Sequence, residues 1–305
     1  MDIVSIILIV AGLILFETVS SIDNAVINAE VLSTMSQKAR RWFLLWGLLI
    51  AVFLLRGLLP WAIVWAVNPS LGPIGSFTAA LSSDPAVAEA IESSKHILLA
   101  GGGIFLVFLF FHWLFLEPKN YGLRGERFFH SKGVWFYAVV SIILAVIVWL
   151  AIHKDPLMAF GAVVGSTAFF ITHGFKENAK YAEEKLMNKG NTGLSDMSKI
   201  LYLEVIDATF SIDGVVGAFA FTLSVPLILL GNGIGALVVR QLTISNIDRI
   251  KKYIFLKNGA MYSIFFLGAI MLLDGFGLNI PSWFTPFVTA LVVGYFFLKS
   301  KKALA

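Results

Sequence analysis

Long apolar stretches dominate this chain, and they return too regularly, and run too long, for the core of a soluble domain. A helix needs about 20 mostly apolar residues to cross a bilayer. Nine segments qualify, at about 3–34, 42–66, 96–116, 133–152, 156–172, 199–222, 226–246, 253–273 and 283–298. The fifth is the shortest, and the first is long enough to tilt or break. Lipid offers backbone amides no partner, so such segments must close their hydrogen bonds within helices. The expected fold class is an all-α polytopic membrane protein with about nine transmembrane helices. Met1-Asp2 supplies no basic region, so the first run reads as a span rather than a cleavable signal.

Composition points the same way. Hydrophobic residues make up 58% and charged residues 14%, against about 45–50% and about 25% in soluble domains. Mean hydropathy is +0.85. The chain has no cysteine, which excludes disulfides, thiolate metal sites and cysteine nucleophiles. Nineteen of the 23 Lys and Arg fall in alternate loops: around Lys38–Arg41, Lys119–Lys132, Lys176–Lys199, Arg249–Lys257 and Lys299–Lys302. The opposite loops hold Lys95 and Lys154; Arg56 and Arg240 lie within spans. By the positive-inside bias the N-terminus is outside and the C-terminus cytoplasmic, and a single short polytopic chain of this kind suits a prokaryotic cytoplasmic membrane. The net charge of +4 reflects this bias, so lipid is the expected partner and nucleic acid is not. Residues 1–305 read as one membrane domain, with a homo-oligomer left open. The outer loop at about 67–95 carries a short helix near 84–95. The inner loop at 174–198 carries an amphipathic surface helix around Lys176–Met187.

Two parts of the chain resemble each other. Span one holds Glu17, then Ser21-Ile22-Asp23-Asn24; span six holds Asp207, then Ser211-Ile212-Asp213-Gly214. The following spans repeat Gly47-x3-Ala51-x4-Arg56 as Gly231-x3-Gly235-x4-Arg240. Spans one and six are five helices apart and cross in opposite senses. The repeat is therefore of inverted topology, relating spans 1–2 to spans 6–7 within halves at about 1–118 and 199–305. Many secondary transporters share this plan and bind substrate near the midplane.

Ionisable groups within spans are costly and mark functional candidates. At about 100° per residue, Glu17, Asn24 and Asn28 share one helical face, as do Glu204, Asp207 and Ser211. Glu17, Asp23, Asn24, Asp207 and Asp213 make an all-oxygen set, which suits a hard divalent cation such as Mn²⁺, Ca²⁺ or Mg²⁺. Carboxylates packed this closely must hold protons when empty, which gives proton-coupled antiport a physical motive. Glu204, Ser211, Asn28 and Asn232 are supporting polar groups. Arg56 and Arg240 read equally as register-setting ion pairs or as gating residues. Glu30 reads as interfacial. Asn232, between Gly231 and Gly233, is expected to break the start of span seven. His112 and His173 read as isolated packed imidazoles, with His173 an option on an exit path, and Asp274 reads as solvated. Gly101-Gly102-Gly103 and Gly161-x3-Gly165 read as helix-packing surfaces.

At these residues the chain resembles the TerC-like integral membrane proteins of the LysE-type transporter superfamily. Glu17-x5-Asp23-Asn24 is similar to the family's first acidic motif. Glu204-x2-Asp207-x2-Phe210-Ser211-x-Asp213 is similar to its second, with Gly214 where Ser is usual. Asn232-x7-Arg240 is similar to the polar motif of the next helix. The resemblance implies export of a divalent metal, manganese above all, and association with tellurite-resistance gene clusters. No permanently bound cofactor is expected, the cation being the substrate. Two other classes compete with a transporter. A membrane scaffold for metal- or tellurite-stress partners leaves the buried acids unexplained. An intramembrane aspartyl protease would place Gly before its Asp, where Ile212 stands, so an enzyme is not expected.

Overall fold

The computed structural model describes residues 2–21, 25, 31–32, 35–47, 50, 56–78, 85–188, 196–245 and 252–304. Among them every regular element is helical. In chain order these are α1 (Ile3–Ser20), α2 (Gln37–Trp42) running into a π-helical turn (Phe43–Gly47), α3 (Arg56–Val67), α4 (Gly72–Thr78) and α5 (Pro85–Leu116). Then come α6 (Arg124–His130), α7 (Phe136–Ile152), α8 (Pro156–Asn188), α9 (Asp196–Ala218), α10 (Val225–Ser245), α11 (Leu256–Gly275) and α12 (Phe284–Leu304).

Five helices among the described residues are long and apolar enough to cross a membrane: Ile3–Ser20, Ser94–Leu116, Gly133–Ile152, Pro156–Asn178 and Leu256–Gly275. The chain is thus an all-α, multi-pass membrane protein. Helices α9, α10 and α12 lie where spans six, seven and nine were expected. The spans are not equivalent. The apolar stretch of α5 is 72% buried inside the bundle and that of α7 only 17%. Helix α5 is therefore the central post, and α7 is a peripheral helix that turns Tyr137, Ile142, Val146 and Trp149 outward. In lipid such side chains meet a solvent as apolar as themselves, so this face needs no protein cover.

Close helix approach rests on glycine. A Cβ at Gly161 would lie 2.6 Å from the Ile97 carbonyl oxygen, and one at Gly165 would overlap that of Gly101, so α5 and α8 touch backbone to backbone. On the other flank of α5, a Cβ at Gly103 would lie 3.0 Å from the Gly268 carbonyl of α11. Between these contacts, Phe105, Phe108, Trp113 and Phe169 fill the core. Phe108 meets Phe169 edge-on, with ring centroids 5.7 Å apart.

Helix ends are specified locally. Asp2 caps α1 by accepting the Ser5 amide at 3.1 Å. Ser36 caps α2, and its hydroxyl donates to Asp196 at 2.5 Å, tying the start of α2 to the start of α9. Pro156 opens α8 without forfeiting a hydrogen bond, and Asp155 accepts the Leu157 amide at 2.9 Å. Buried Glu126 accepts the amides of Gly122 and Leu123 at 2.7 and 3.1 Å and the Asn258 side chain at 2.9 Å. Lys299 of α12 donates to the Gly122 carbonyl, and the Ser300 hydroxyl accepts the Phe255 amide at 2.9 Å. Together these bonds clasp the 117–130 segment to α11 and α12.

Two expectations are corrected. The residues after 172 are not a loop carrying a separate surface helix, because α8 runs unbroken from Pro156 to Asn188. Nor does Gly231-Asn232-Gly233 break span seven, since α10 passes straight through it. Gly231 packs on Leu13 and Gly235 on Glu17, and this tertiary packing outweighs the low helix propensity of glycine.

Candidate functional site

Helix α1 stops at Ser20, and Ser21 caps its carboxyl end through its amide to the carbonyls of Glu17 and Val19. Glu17 lies in this last turn and is 1% exposed. The Ser21 hydroxyl donates to Glu17 Oε1 at 2.6 Å. Neighbouring glycines make room for the side chain. A Cβ at Gly214 of α9 would lie 2.9 Å from Glu17 Oε2, and one at Gly235 of α10 would lie 2.7 Å from the Glu17 Cβ and Cγ. Next to this contact Phe16 sits on Gly217, one turn further along α9, and Leu13 on Gly231, one turn back along α10. Four glycines on α9 and α10 thus form the slot that receives α1 and deliver its carboxylate to the junction of the three helices.

Two further groups of the expected set lie on the same two helices, beside these glycines in sequence. Asn232 is three residues before Gly235 on α10, hence on the same side of that helix. It is 0% exposed, and neither its oxygen nor its nitrogen has a hydrogen-bond partner among the described residues. Asp213 directly precedes Gly214. Its Oδ2 accepts from the Lys176 ammonium of α8, while its Oδ1 is fully enclosed without a hydrogen-bond partner among the described residues. That ion pair corrects the placement of Lys176 in a cytoplasmic loop. The ammonium is buried against α9 and supplies a positive charge there that a loop placement would put in solvent.

Glu204 and Arg240 converge elsewhere, on the π-helical turn. A Cβ at Gly47 would collide with Glu204 Oε1. Arg240 donates to the Phe43 carbonyl and lies 4.9 Å from the centroid of its ring. Such a turn widens the helix and exposes a carbonyl for this contact, and π-turns concentrate at functional sites. Asp207 and Ser211 lie on α9 between Glu204 and Asp213, and Arg56 begins α3. Asp23, Asn24, Asn28 and Glu30 lie outside the described residues. Among the described residues, no three His, Asp or Glu side chains come together closely enough to hold a metal ion.

The structure adds a polar network that the sequence reading missed. The rings of His112 on α5 and His173 on α8 stand 4.1 Å apart, so neither imidazole is isolated. His112 Nδ1 lies 3.5 Å from Glu117 Oε1, and Lys257 of α11 lies 3.0 Å from Glu117 Oε2. Burial pushes the Glu117 carboxyl up, but His112 and Lys257 outweigh it and hold the group well below the usual carboxylate range. Burial also pulls nearby Lys119 down to about 8 against the opposing pull of Glu117 and Glu126. The signal was the acid five residues after His112, at the end of a span.

The far end of α5 is also polar. Asp274 is not simply solvated: it pairs with Lys95 at 3.0 Å and accepts the Ile280 amide at 3.2 Å. The pair flanks a crevice of about 240 Å³ lined by Ile9, Leu99, Phe221, Thr222 and Thr285 among others.

These features define a class, a multi-pass helical membrane protein with enclosed carboxylates between its helices. The chain belongs to the family described as protein of unknown function (DUF475), whose model matches residues 22–303. Comparison with curated proteins gives no match, and comparison with solved structures gives none.

Proposed function

We propose that this protein is a secondary transporter that exports a hard divalent cation, Mn²⁺ foremost and Ca²⁺ next, by proton-coupled antiport. The reading rests chiefly on Glu17. An acid enclosed at the end of a helix, in a bundle built for lipid, is too costly to be incidental. Gly214 and Gly235 are shaped around it, and Asp213 and Asn232 stand on the same two helices beside those glycines. Oxygen ligands of this kind suit hard cations rather than Zn²⁺ or Cu⁺. Asp23, Asn24 and Asp207 complete the proposed ligand set, with Ser211, Asn28 and Glu204 as supporting groups and Arg56 and Arg240 as gates.

The finer topology belongs to the same proposal: nine spans, an inverted repeat, the N-terminus outside, and a place in the TerC-like branch of the LysE-type superfamily. In this orientation the Lys95–Asp274 crevice opens outward and the Glu117 network faces the cytoplasm. The test is flux into proteoliposomes containing a metal-sensitive dye, with Mn²⁺, Ca²⁺, Mg²⁺ and Zn²⁺ added in turn, with and without a pH gradient. Flux of one hard cation that follows the gradient and is lost in Glu17→Gln is the expected result. Absence of flux from a folded protein would remove the transporter reading and leave a membrane scaffold in its place.

A further inference from the structure

We propose that Lys176 is a tethered occupant of the cation site: its ammonium holds the place of the transported ion at Asp213, and a divalent cation binds by displacing it. The inference rests on the cation-site reading above.

Three observations lead to it. The first is the unequal treatment of the Asp213 carboxylate. Oδ2 receives the ammonium, whereas Oδ1 is fully enclosed and accepts no hydrogen bond from the described residues. A buried ion pair that serves packing alone needs its remaining lone pairs satisfied, because both charges have been taken out of water. Here half of the acceptor is left open, which is the condition of a site waiting for a ligand.

The second is the identity and position of the cation. Lysine offers one compact charge on a long, rotatable stem, and it lacks the fork with which arginine would grip both oxygens. Lys176 stands near the end of the apolar stretch Pro156–Asn178. Its ammonium can therefore withdraw towards polar surroundings while its stem stays in the helix packing.

The third is charge balance. Gly214, next to Asp213, faces the Glu17 carboxylate. With the ammonium withdrawn, the Asp213 carboxylate stands uncompensated and presents its negative charge to an incoming cation. With the ammonium in place, Asp213 is neutralised and the site is closed to cations. Lys176 thus acts as a specificity element: an ion must compete with a tethered ammonium, and a divalent ion does so better than a monovalent one.

The test is Mn²⁺ binding to the purified full-length protein in detergent, followed by the electron paramagnetic resonance signal of free Mn²⁺. If the ammonium occupies the site for about 90–99% of the time, Lys176→Met tightens apparent binding by about 10–100-fold. Lys176→Arg weakens it, since a guanidinium holds the carboxylate more firmly. In the Asp213→Asn background the gain from Lys176→Met disappears. Should Lys176→Met fail to fold, Lys176→Arg still decides, because it retains the charge and must weaken binding. Unchanged or weaker binding by Lys176→Met, stronger binding by Lys176→Arg, or a gain that persists without Asp213 would each overturn the tethered-ion role and leave the cation site standing. No Mn²⁺ binding by wild type or any variant would overturn both.

Discussion

Replacing Asn232 by Leu should make the protein more stable and less able to bind its ion. The amide is 0% exposed, and neither polar atom has a hydrogen-bond partner among the described residues. An enclosed polar group left unbonded costs about 1–3 kcal/mol. Leu branches at the same carbon and fits a similar outline, so the substitution removes most of that cost. Its bulk returns part of the gain as overpacking against α1, which Gly231 and Gly235 hold close. The net expectation is a stabilisation of about 1–2 kcal/mol, equivalent to a rise in Tm of roughly 2–8 °C. The assay is thermal unfolding in detergent with and without Mn²⁺. Without the ion the variant melts above wild type. With Mn²⁺ at about 100 times its Kd the order reverses, because wild type gains about 2.7 kcal/mol from binding while the variant has lost an oxygen ligand. A variant that melts lower without the ion and responds to Mn²⁺ like wild type would refute the reasoning, since Asn232 would then be a satisfied structural amide.

Other outcomes can be checked alongside. Glu17→Gln should abolish Mn²⁺ binding and coupled flux while leaving the melting temperature within a few degrees, because Gln keeps the shape held by Gly214, Gly235 and Ser21. Glu117 supplies a pH signature. Its folded-state pKa is depressed, so its contribution is present above the unfolded value of about 4.3 and fades as pH falls through the lower folded value. Glu117→Gln should therefore lower Tm more near pH 7 than near pH 3, where part of the contribution has already faded; equal effects at both pH values would contradict the charge pairing. Gly165→Ala forces α8 off the Gly101 carbonyl and should cost about 1–3 kcal/mol. Gly174→Ala, on the same helix with nothing within 4 Å, should be neutral or stabilise by up to about 1 kcal/mol. Comparing the two melting temperatures separates close approach from helix propensity.

The helical membrane class was legible because hydropathy over some twenty residues integrates many weak preferences, and no single residue can cancel them. The glycine pairs of α5 and α8 were legible for a related reason, since small residues one turn apart have few other uses in a span. What escaped depended on side-chain reach and long-range proximity. The apolar run ends at Thr172, so Lys176 looked like a loop residue, yet α8 continues and the long stem brings its ammonium back to Asp213. His112 and His173 are far apart in sequence, and only the α5–α8 crossing makes them neighbours. The Gly-Asn-Gly step looked like a helix breaker because local propensity was read without Leu13 and Glu17 packed against it.

The clasp near the end of α12 has a practical consequence. Lys299 and Ser300 are the last link of a belt that runs through Gly122, Glu126 and Asn258 to the start of α11. Shortening the chain to before Lys299 would remove both bonds and leave Asn258, through Asn120 and Glu126, to tie the 117–130 segment to the helix that carries Lys257. The Glu117–Lys257 pair would then lose part of its support at a distance from the cut. The last turns of α12, rich in lysine, thus act as a latch on a polar network that begins on other helices.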